Sequence, residues 1–569
     1  MIKKAMRVVF LGVLALLALG VFTSGRALAS ESRADDAPYT VRLPFVVTGT
    51  AGTAGETTIT LNGDSIAVSG SGVTVEGTVA TITAAGHYIV SGTLNDGQLL
   101  VDTEDEEMVQ LTLIGVDITS ATSAPLAILS AEETIITLAE GSDNTLTDAA
   151  TYVFPDAETD EPNAALFSND DLTIGGGGSL TVVGNYNDAI STDDSLTISG
   201  GVITVSAVDD GLRGKDALVI SGGDITVEAG GDGLKSDNED DTTLGTIAIS
   251  GGVFDITAAG DGIAAETTVT ISGGDFALLT GGGSGATLAD DVSAKGIKGL
   301  VSVTIEGGTF NVNAADDAVH SNNAITISGG ALTLATGDDA IHADAAITID
   351  DGTIDITESV EGIESILITI NGGAIHIVAS DDGINVAGDV AGAYHLYLHG
   401  GRIVIDAGGD GIDANGSITM TDGVVLVHGP TNQGNGAIDY DGTFNVSGGL
   451  LVAAGSAGMA QAPSATSTQN SVLIRFNGAQ AAGALVHIQN SAGEDVLTFA
   501  PAKGYQSLVF SSAELVLGSA YTVYLGGSST GTVSDGLYSG GSYTPGMVYA
   551  NFTVNSSVTV VGGGGPPGP

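Results

Sequence analysis

A short motif that returns at a nearly fixed spacing restricts the possible folds of this chain more than any other feature. The motif is an acidic residue or a substitute, then Gly or Ala, then Ile, Leu or Val. Its first position recurs in steps of 22, 22, 29, 34, 22, 22, 22, 21, 28 and 26 residues. Such a period with occasional insertions is typical of a solenoid, in which each repeat packs against its neighbours. The first positions are Asp188, Asp210, Asp232, Asp261, Lys295, Asp317, Asp339, Glu361, Asp382, Asp410 and Gly436.

An aliphatic residue stands two positions after each of these residues, which predicts a continuous stack inside the solenoid. A second marker, an alternating strand that ends in Gly-Gly, lies between successive motifs, as in "TISGG" from Thr326. No segment of the repeats shows apolar residues at helical spacing, so we expect three short β-strands per repeat. The aliphatic positions are Ile190, Leu212, Leu234, Ile263, Ile297, Val319, Ile341, Ile363, Ile384, Ile412 and Ile438.

These features predict an all-β fold, a parallel β-helix with about 22 residues per coil. Successive coils would stack at the usual strand spacing of about 4.8 Å, so residues one period apart become neighbours. We expect residues 40–186 to form the N-terminal cap and first coils, and residues 187–461 to form the regular coils. Residues 462–470 are interpreted as a linker, 471–560 as a small C-terminal β module, and 561–569 as a flexible Gly/Pro tail.

The N-terminus has the order of features found in export signals. Basic residues precede an apolar stretch over residues 8–22, and the small-residue site Ala27-Leu28-Ala29 follows. This order predicts a signal peptide over residues 1–29 and a secreted or cell-surface protein. The apolar stretch is shorter than the roughly 20 residues of a membrane span. No other long apolar run follows, so we expect no span in the mature chain.

Charge and cysteine content limit the partners. The net charge of -54 at pH 7 argues against nucleic acid as a partner, because the phosphate backbone would be repelled nearly everywhere. The chain has no Cys, so an exported protein of this kind depends on packing or bound ions rather than on disulfides. We expect it to be a monomer.

Stacking of the coils would place the acidic residues of the motif in a ladder. Like charges about 5 Å apart repel by roughly 1 kcal/mol in water, and a divalent cation reverses the sign of that energy. Calcium suits such a site because it takes six to eight oxygen ligands in flexible geometry. The alternative is a turn in which each Asp only accepts hydrogen bonds from its own backbone. The candidate calcium ligands are Asp209, Asp210, Asp232, Asp261, Asp316, Asp317, Asp338, Asp339, Asp381, Asp382 and Asp410.

Basic residues cluster at the same corner of the repeat. Beyond Arg42 the chain has eight Lys or Arg residues, and five of them fall beside the motif. In so acidic a protein this clustering indicates either a groove for an anionic ligand or local neutralisation of the Asp residues. Two His residues follow in the same position of later repeats. The candidate carbohydrate-binding residues are therefore Arg213, Lys215, Lys235, Lys295, Lys298, His320 and His342.

Three functions fit this corner. A polysaccharide lyase would use calcium to acidify a uronate proton, with an Arg or Lys as base. A binding protein would hold a sugar chain along the helix, with calcium bridging its carboxylates. A glycosidase would use paired acids about 5 to 9.5 Å apart. The Asp pairs recur on nearly every coil whereas an active site needs only one, so the repetition favours binding, and we assign no catalytic residue.

Longer segments resemble a known family. They include "LNGDSIAVSGSGVTVEGTVATITAAGHYIVSGTLNDGQLLVD", "LAEGSDNTLTDAATY", the repeated "ISGG" and "DDGI", and the closing "LGSAYTVYLGG". From about residue 59 to residue 560 the chain resembles exported bacterial carbohydrate-binding proteins. The resemblance implies a right-handed parallel β-helix similar to that of pectate lyases, calcium ions at the Asp-Gly or Asp-Asp turns, and no catalytic role. It also implies binding of cellulose-like and pectin-like polysaccharides at the cell surface.

The aromatic content bears on the expected binding of cellulose-like polysaccharide, which is a glucan. Flat glucan surfaces are usually held by aromatic stacking, and the chain has no Trp. Tyr394, Tyr397 and Tyr440 are the available substitutes. The sequence therefore predicts a non-catalytic, calcium-bearing protein that binds plant cell-wall polysaccharide. The alternative is a calcium-dependent lyase of the pectate type.

Overall fold

The structure is a computed structural model that describes residues 55–154, 159–289, 292–388 and 393–562. The signal peptide expected at residues 1–29 and most of the expected tail lie outside these residues. The described part of the chain forms one compact unit of β-strands without an α-helix, which confirms the all-β class. Within the same residues, no helix has the length and apolar character that a membrane crossing requires.

Each regular repeat contributes three consecutive strands, and each strand pairs with its counterparts in the repeats before and after. In one repeat these are Val319–Ser321, Ala324–Ile327 and Ala331–Thr336. The pairing is parallel, with Val319 opposite Ile341 in the next repeat. We call the three series of stacked strands the first, second and third ladder, in chain order. Long parallel ladders of short strands are compatible with the predicted β-helix.

The first ladder belongs to a 16-stranded sheet of Val73–Glu76, Val79–Ile82, Gln98–Asp102, Leu126–Ser130, Ala164–Ser168, Asp188–Thr192, Leu212–Gly214, Leu234–Ser236, Ile263–Ala265, Ile297–Gly299, Val319–Ser321, Ile341–Ala343, Ile363–Ser365, Ile384–Val386, Ile412–Ala414 and Asp439–Tyr440. The second ladder comprises Thr134–Leu138, Leu172–Gly176, Ser195–Ile198, Ala217–Ile220, Thr246–Ile249, Thr268–Ile271, Ser302–Ile305, Ala324–Ile327, Ala346–Ile349, Leu367–Ile370, His395–Leu398, Ser417–Met420 and Phe444–Val446.

The third ladder comprises Asp143–Thr147, Ser179–Gly184, Val202–Ala207, Asp224–Ala229, Val253–Ala258, Asp275–Thr280, Thr309–Ala314, Ala331–Thr336, Thr353–Glu358, Ala374–Ala379, Arg402–Ala407, Val424–His428 and Leu450–Gly455. Terminal strands join the second and third ladders into one 33-stranded sheet: Thr57–Gly63, Ile66–Ser69, Gly86–Leu94, Val109–Thr119, Ser471–Gln480, Tyr505–Ser511 and Val558–Gly562. A separate six-stranded sheet comprises Val486–Asn490, Asp495–Phe499, Ala520–Ser529, Thr532–Ser534, Leu537–Ser539 and Tyr543–Thr553.

Insertions in the longer repeats leave the pairing of the ladders intact. Leu234 lies opposite Ile263 in the first ladder, and Ile263 lies opposite Ile297, although these residues are 29 and 34 positions apart. The glycine marker has a backbone reason as well. Gly330, the second residue of its Gly-Gly pair, has a φ of 94°, a left-handed conformation that favours glycine. Strands of the second ladder without the full pair keep this second glycine, as Gly352 does after Ala346–Ile349 with a φ of 118°, so the turn requires the second glycine of the marker.

The aliphatic stack predicted from the motif is confirmed, because all eleven of its side chains are buried, from Ile190 to Ile438. Neighbouring members lie opposite one another in the first ladder, as Ile341 and Ile363 do. Burying a side chain of this size stabilises a fold by about 1.5–3 kcal/mol. In the third ladder Phe254, Phe276 and Phe310 stack in the same interior with ring centroids 4.5 and 4.7 Å apart. The core therefore runs along the ladders.

The C-terminal strands attach to the side of the solenoid as well as to its end. Tyr505–Ser511 pairs antiparallel with Leu450–Gly455, the last strand of the third ladder. A second core joins the outward-facing Val404 and Leu426 of that ladder to Phe499 of the six-stranded sheet. The outer face of the last coils is thus covered by residues of the predicted C-terminal module. The boundaries given for this module and for the linker remain predictions.

Candidate functional site

The acids at the first motif position form hydrogen bonds between coils. Oδ1 of Asp210 accepts the backbone N–H of Asp232 at 2.8 Å, and Oδ1 of Asp317 accepts that of Asp339 at 3.1 Å. A single-turn cap was the alternative expectation, but stacking brings the N–H of the next coil within reach instead. We call the acids that bond in this way the aspartate spine, which comprises Asp188, Asp210, Asp232, Asp261, Asp317, Asp339, Asp382 and Asp410.

The spine is interrupted after Lys295 and Glu361, where the described residues show no equivalent bond. Lysine has no acceptor, and the N–H of Asp317 instead donates to Oδ1 of the adjacent Asp316 at 3.0 Å. Glutamate is one methylene longer than aspartate. Most spine acids are deeply buried, with Asp188 and Asp261 each 2% exposed. A buried donor without an acceptor is costly, so the spine has a structural role whatever else it binds.

A second row of side chains lies three residues after the spine positions and faces outward. Register pairing places neighbours in this outward row opposite each other, as Lys298 is to His320 and His320 is to His342. The row is basic up to His342 and acidic from Glu364 onward. Its members are Arg213, Lys235, Ala264, Lys298, His320, His342, Glu364, Asn385, Asp413 and Asp439. We call these two parts the basic stretch and the acidic stretch.

The lysines of the basic stretch pair with spine acids. Nζ of Lys235 lies 2.9 Å from Asp210 Oδ2 and 3.2 Å from Asp232 Oδ2. Burial acts to lower the pKa of Lys235, but these two carboxylates outweigh it and raise the pKa above its ordinary value. Lys298 Nζ lies 3.1 Å from Asp261 Oδ2. The ammonium groups therefore neutralise buried carboxylates, which favours the second interpretation of the basic cluster.

The other predicted cations are placed nearby. Lys295, a spine position, lies 2.7 Å from Asp316 and 3.0 Å from Asp317. Arg213 forms an ion pair with Asp237 at 3.0 Å and donates to Ser191 at 3.0 Å. Outside this corner, Arg402 pairs with Asp535 at 2.6 Å, Lys503 pairs with Asp406, and Arg475 donates to the carbonyl of Ala460. Among the described Lys and Arg side chains, only Lys215 has neither an ion pair nor a side-chain hydrogen bond.

The acidic stretch has no Lys or Arg among its described neighbours in the row, and its carboxyl groups are correspondingly hard to ionise. Burial, aided by the charges of Asp410 and Asp413, raises the pKa of Asp382 to about 7. Burial likewise raises the pKa of Asp410 to about 6 and that of Glu364 above its ordinary value. The spine acids Asp382 and Asp410 thus face other carboxylates without a compensating cation, whereas the charge of His342 partly offsets the shift of Glu364.

An amide oxygen at the start of the acidic stretch lacks a partner. Asn385 donates through Nδ2 to Glu364 Oε2 at 2.6 Å. Its Oδ1 is buried and accepts no hydrogen bond from the described residues. Amide and carboxylate oxygens are the ligands that calcium prefers. The donor chemistry of this stretch therefore fits a calcium ion, although Asn385, Glu364 and Asp413 were not among the residues predicted as ligands. Their position in the outward row was the available signal.

The remaining predicted ligands flank the spine. Asp209, Asp338 and Asp381 are exposed, and Asp316 is half-buried. Three clusters of these acids bring one carboxylate oxygen of each member within 4.8 Å of the others. Burial and a hydrogen bond to Glu361 raise the pKa of Asp339 to about 10. The clusters are Asp188–Asp209–Asp210, Asp316–Asp317–Asp338 and Asp338–Asp339–Glu361.

The two histidines lie at the boundary between the stretches and contact the spine. His320 Nδ1 lies 2.7 Å from Asp317 Oδ2, and His342 Nδ1 lies 3.6 Å from the same atom. Burial acts to raise the pKa of Asp317, but the hydrogen bond from His320, the nearby His342 and the charge of Lys295 hold it well below its usual range. A cleft of about 450 Å³ opens beside His342 and is bordered by Asp344. The histidines thus have partners inside the protein.

The tyrosines considered for sugar stacking are engaged. Tyr397 stacks against His395 and His399, with ring centroids 4.0 and 5.6 Å apart. The hydroxyl of Tyr440 donates to the carbonyl of Ala462 at 2.7 Å, and that of Tyr394 donates to the carbonyl of Gly388. Tyr397 therefore presents mainly ring edges outward, a geometry less suited to a flat sugar face than an open ring would be.

Comparison with known proteins relates the whole of this corner to one family. A family model described as carbohydrate-binding domain-containing protein matches residues 76–340 and 338–521, which include the spine and the outward row. A protein of the same description from Acetivibrio thermocellus is 50% identical over 136 residues, which cover 24% of this chain and 48% of the relative. The match thus spans about half of that relative. A solved structure of the polysaccharide lyase-like protein from C. thermocellum, a gadolinium derivative, is 37% identical, with 48% of this chain and 96% of that chain covered and a TM-score of 0.39.

Proposed function

We propose, from the premise that this chain belongs to the family of carbohydrate-binding domain-containing proteins, that it binds plant cell-wall polysaccharide without cleaving it. The observation that carries the proposal is the division of the outward row into a neutralised basic stretch and an uncompensated acidic stretch. We further propose that its ladders form a right-handed parallel β-helix with about 22 residues per coil. Export to the cell surface, action as a monomer and a pectin-like or cellulose-like ligand are parts of the same proposal.

Calcium is proposed to bind along the acidic stretch rather than at the basic stretch. In the basic stretch the Oδ2 atoms of Asp210 and Asp261 already face ammonium groups at 2.9 and 3.1 Å. In the acidic stretch the carboxylates face each other, and Asn385 Oδ1 adds a neutral oxygen. A divalent cation would supply the missing positive charge there. The ligands would come from Asn385 of this stretch and from the acids that precede its members in the chain, Glu361, Asp381, Asp382 and Asp410.

The internal pairing of the Lys and Arg side chains indicates how an acidic protein could hold a pectin-like chain. A polyuronate is repelled by a net charge of -54, and nearly all described Lys and Arg side chains already contact acceptors within the protein. Attraction therefore has to come from a bridging ion. A calcium ion held by one or two protein carboxylates retains coordination positions that a uronate carboxylate can fill. Binding of polyuronate should accordingly require calcium and weaken as salt is added.

The lyase alternative is disfavoured by the residues that would serve as its base. A base must be unprotonated at working pH, but the carboxylates of Asp232 and Asp210 raise the pKa of Lys235 despite its burial. Burial also acts to lower the pKa of Arg213, but the carboxylate of Asp237 outweighs it and raises that pKa. Neither side chain is thereby prepared for proton abstraction, so the arrangement supports binding over cleavage.

A pull-down assay with product detection tests the proposal. Purified protein is mixed with insoluble polygalacturonate or cellulose in calcium or in a chelator, and bound protein and unsaturated uronate product are both measured. We expect calcium-dependent retention on polygalacturonate without product. The double variant Asp382→Asn/Asp410→Asn should lose this retention, whereas Asp355→Asn, on the outer face of the third ladder, should retain it. Product that disappears in Lys235→Met would establish the lyase instead.

A further inference from the structure

We propose that Asp317, His320 and His342 form a binding site for a transition metal ion of the zinc class. The proposal goes beyond carbohydrate binding and does not depend on it. The site lies on two neighbouring coils of the first ladder, at the boundary between the basic and acidic stretches. It differs in ligand type from the acid-only clusters Asp188–Asp209–Asp210, Asp316–Asp317–Asp338 and Asp338–Asp339–Glu361.

The three side chains converge on one point. One ligand atom of each lies within 4.8 Å of the corresponding atoms of the other two. His342 Nδ1 is 3.6 Å from Asp317 Oδ2, too long for a hydrogen bond. In a tetrahedral zinc site with metal–ligand bonds of about 2.0–2.1 Å, the ligand atoms are separated by about 3.3 Å. His320 Nδ1 is closer, at 2.7 Å, and would move outward by a few tenths of an ångström as the ion replaces its hydrogen bond.

The spine fixes the carboxylate in the required orientation. Oδ1 of Asp317 accepts the backbone N–H of Asp339, so Oδ2 is the oxygen presented to the histidines. Asp317 is only 2% exposed and has little rotational freedom. His320 and His342 lie directly opposite each other in the parallel register, which sets the two rings 5.1 Å apart. The backbone therefore preorganises all three ligands.

The far nitrogen of each ring has a suitable partner. His320 Nε2 lies 3.1 Å from Asn322 Oδ1, and His342 Nε2 lies 3.7 Å from Asp344 Oδ1. A metal on Nδ1 places the remaining proton on Nε2, where His320 can donate it to Asn322 Oδ1, whereas His342 would have to approach Asp344 by about half an ångström before it could donate. Metal-binding histidines nearly always donate their second N–H to a carboxylate or carbonyl oxygen in this way. The surroundings of both rings thus match the pattern of metal-ligating histidines.

The choice of metal follows from the nitrogen donors. Imidazole suits zinc, copper, nickel and iron, whereas calcium is bound by oxygen ligands. Two His and one carboxylate are also the protein ligands of known catalytic zinc sites, which keep one position open. Here the cleft beside His342, bordered by Asp344 and Glu364, gives access to that position. Glu364 also forms a cluster with His342 and Asp339 and could supply a further oxygen.

Lys295 is an unfavourable neighbour of the proposed site. Its Nζ lies 3.0 Å from Asp317 Oδ2 and competes there for the same lone pairs. It is nearer to Asp316 Oδ1, at 2.7 Å, and retains that partner when an ion takes Oδ2. Removal of this ammonium group should therefore strengthen metal binding. The structure thus predicts changes of opposite sign for substitutions on the two sides of Asp317.

The test is calorimetric titration of the purified, chelator-treated protein with Zn²⁺, followed by titration with Co²⁺ and visible spectroscopy. We expect one saturable site and the intense visible bands of low-coordinate Co²⁺. His320→Ala and His342→Ala should each weaken Zn²⁺ binding by more than about 100-fold, the upper end of the loss typical of substituting a residue that only hydrogen-bonds a metal ligand. Lys295→Met should tighten it. His376→Ala, an exposed histidine paired with Asp355 at 2.8 Å, serves as the matched control.

Several outcomes would overturn the site. These are the absence of a saturable Zn²⁺ isotherm, equal affinity in wild type and both histidine variants, or an equal loss in His376→Ala. Asp317→Asn keeps an acceptor for the backbone N–H of Asp339, so this variant should fold. It should nevertheless bind Zn²⁺ more weakly than wild type, which separates loss of a ligand from loss of the fold. Retention of the wild type on polygalacturonate is measured in parallel, in calcium and without zinc, and is scored separately from the Zn²⁺ isotherm. Failure of the metal site therefore remains distinguishable from failure of the carbohydrate proposal.

Discussion

The backbone N–H of Lys295 donates to Oδ1 of Asp261 at 2.7 Å, although the two residues are 34 positions apart in the chain. The other oxygen of the same carboxylate lies 3.1 Å from Lys298 Nζ. One buried aspartate thus joins two coils through its backbone partner and neutralises a cation of the outward row. The spine and the basic stretch are therefore connected through the same carboxylate.

Substitution of Asp261 should separate these two contributions. Asp261→Ala leaves the N–H of Lys295 without its acceptor, which costs about 1–3 kcal/mol, and removes the partner of Lys298 as well. Asp261→Asn retains an acceptor for the N–H and should be destabilised less. Lys298→Met removes the ion pair, together with the 3.4 Å contact from Lys298 Nζ to Ser293 Oγ, and leaves the backbone hydrogen bond in place. Chemical denaturation of the three variants should give the largest loss for Asp261→Ala, and equal losses for Ala and Asn would contradict the backbone role.

Calcium should stabilise the protein through the acidic stretch. A ligand at one hundred times its dissociation constant stabilises the folded state by about 2.7 kcal/mol per site. In a chelator at pH 8, Asp382→Asn/Asp410→Asn should melt at a higher temperature than wild type, because a pair of repelling carboxylates is removed. In calcium the wild type should melt at the higher temperature. Differential scanning calorimetry measures both, and a calcium shift preserved in the double variant would exclude these ligands.

The contact between the third ladder and the six-stranded sheet should weaken in acid. Burial lowers the pKa of His428, which faces Asp406, Asp535, Lys503 and the ring of Phe499. A depressed pKa means that the unfolded chain binds the proton first. Stability that is fully present above 6.5, the ordinary pKa of histidine, is therefore lost as the pH falls below that value. His428→Gln should remove this component, because glutamine does not titrate.

The measurement is the difference in unfolding free energy between wild type and His428→Gln at pH 7.5 and pH 5. Raised pKa values of the spine acids act in the opposite direction, and they cancel in this difference. The advantage of wild type over the variant should shrink at pH 5. A difference that is constant with pH would show that His428 does not titrate on unfolding.

Apolar packing rather than the ion pair should hold the C-terminal sheet in place. Leu426, on the outer side of the third ladder, is fully buried in the core that includes Phe499, and Leu426→Ala should cost about 2–5 kcal/mol. The Arg402–Asp535 pair is about one third exposed on each side. Arg402→Met should therefore cost at most about 1 kcal/mol. Limited proteolysis of the C-terminal strands and chemical denaturation measure the loss of stability in each variant. A larger loss in Arg402→Met than in Leu426→Ala would show that the ion pair dominates.

The burial of Ile341 and its counterparts could be predicted from the sequence, because the aliphatic position recurs at a spacing that insertions do not disturb. The hydrogen bond from the Asp339 N–H to Asp317 could not, because it depends on the side-chain rotamer and on contact between separate coils. The partners of Lys235 and Lys295 were unpredictable for the same reason. Each lysine has two acids within reach, and small differences in distance decide the pairing.

The sequence contains a pattern that predicts the lateral contact of the C-terminal sheet, but the regular repeat makes this pattern hard to recognise. In "RIVID" and "VVLVH" the positions expected to face solvent are Val404 and Leu426 rather than the polar residues of earlier coils. Apolar residues at outward positions of consecutive strands predict a covered face. The change in pattern begins at residue 402, well before the chain reaches the strands that cover it.

The spine also determines how a solenoid of this kind can change length during evolution. Each coil with a spine aspartate contributes one carboxylate oxygen and receives its neighbour's amide, so donors and acceptors remain equal when a whole coil is duplicated or lost. A partial repeat would leave a buried group without a partner. Selection against such breaks would preserve integral repeats while allowing their number to drift, and related chains should differ in extent by whole coils.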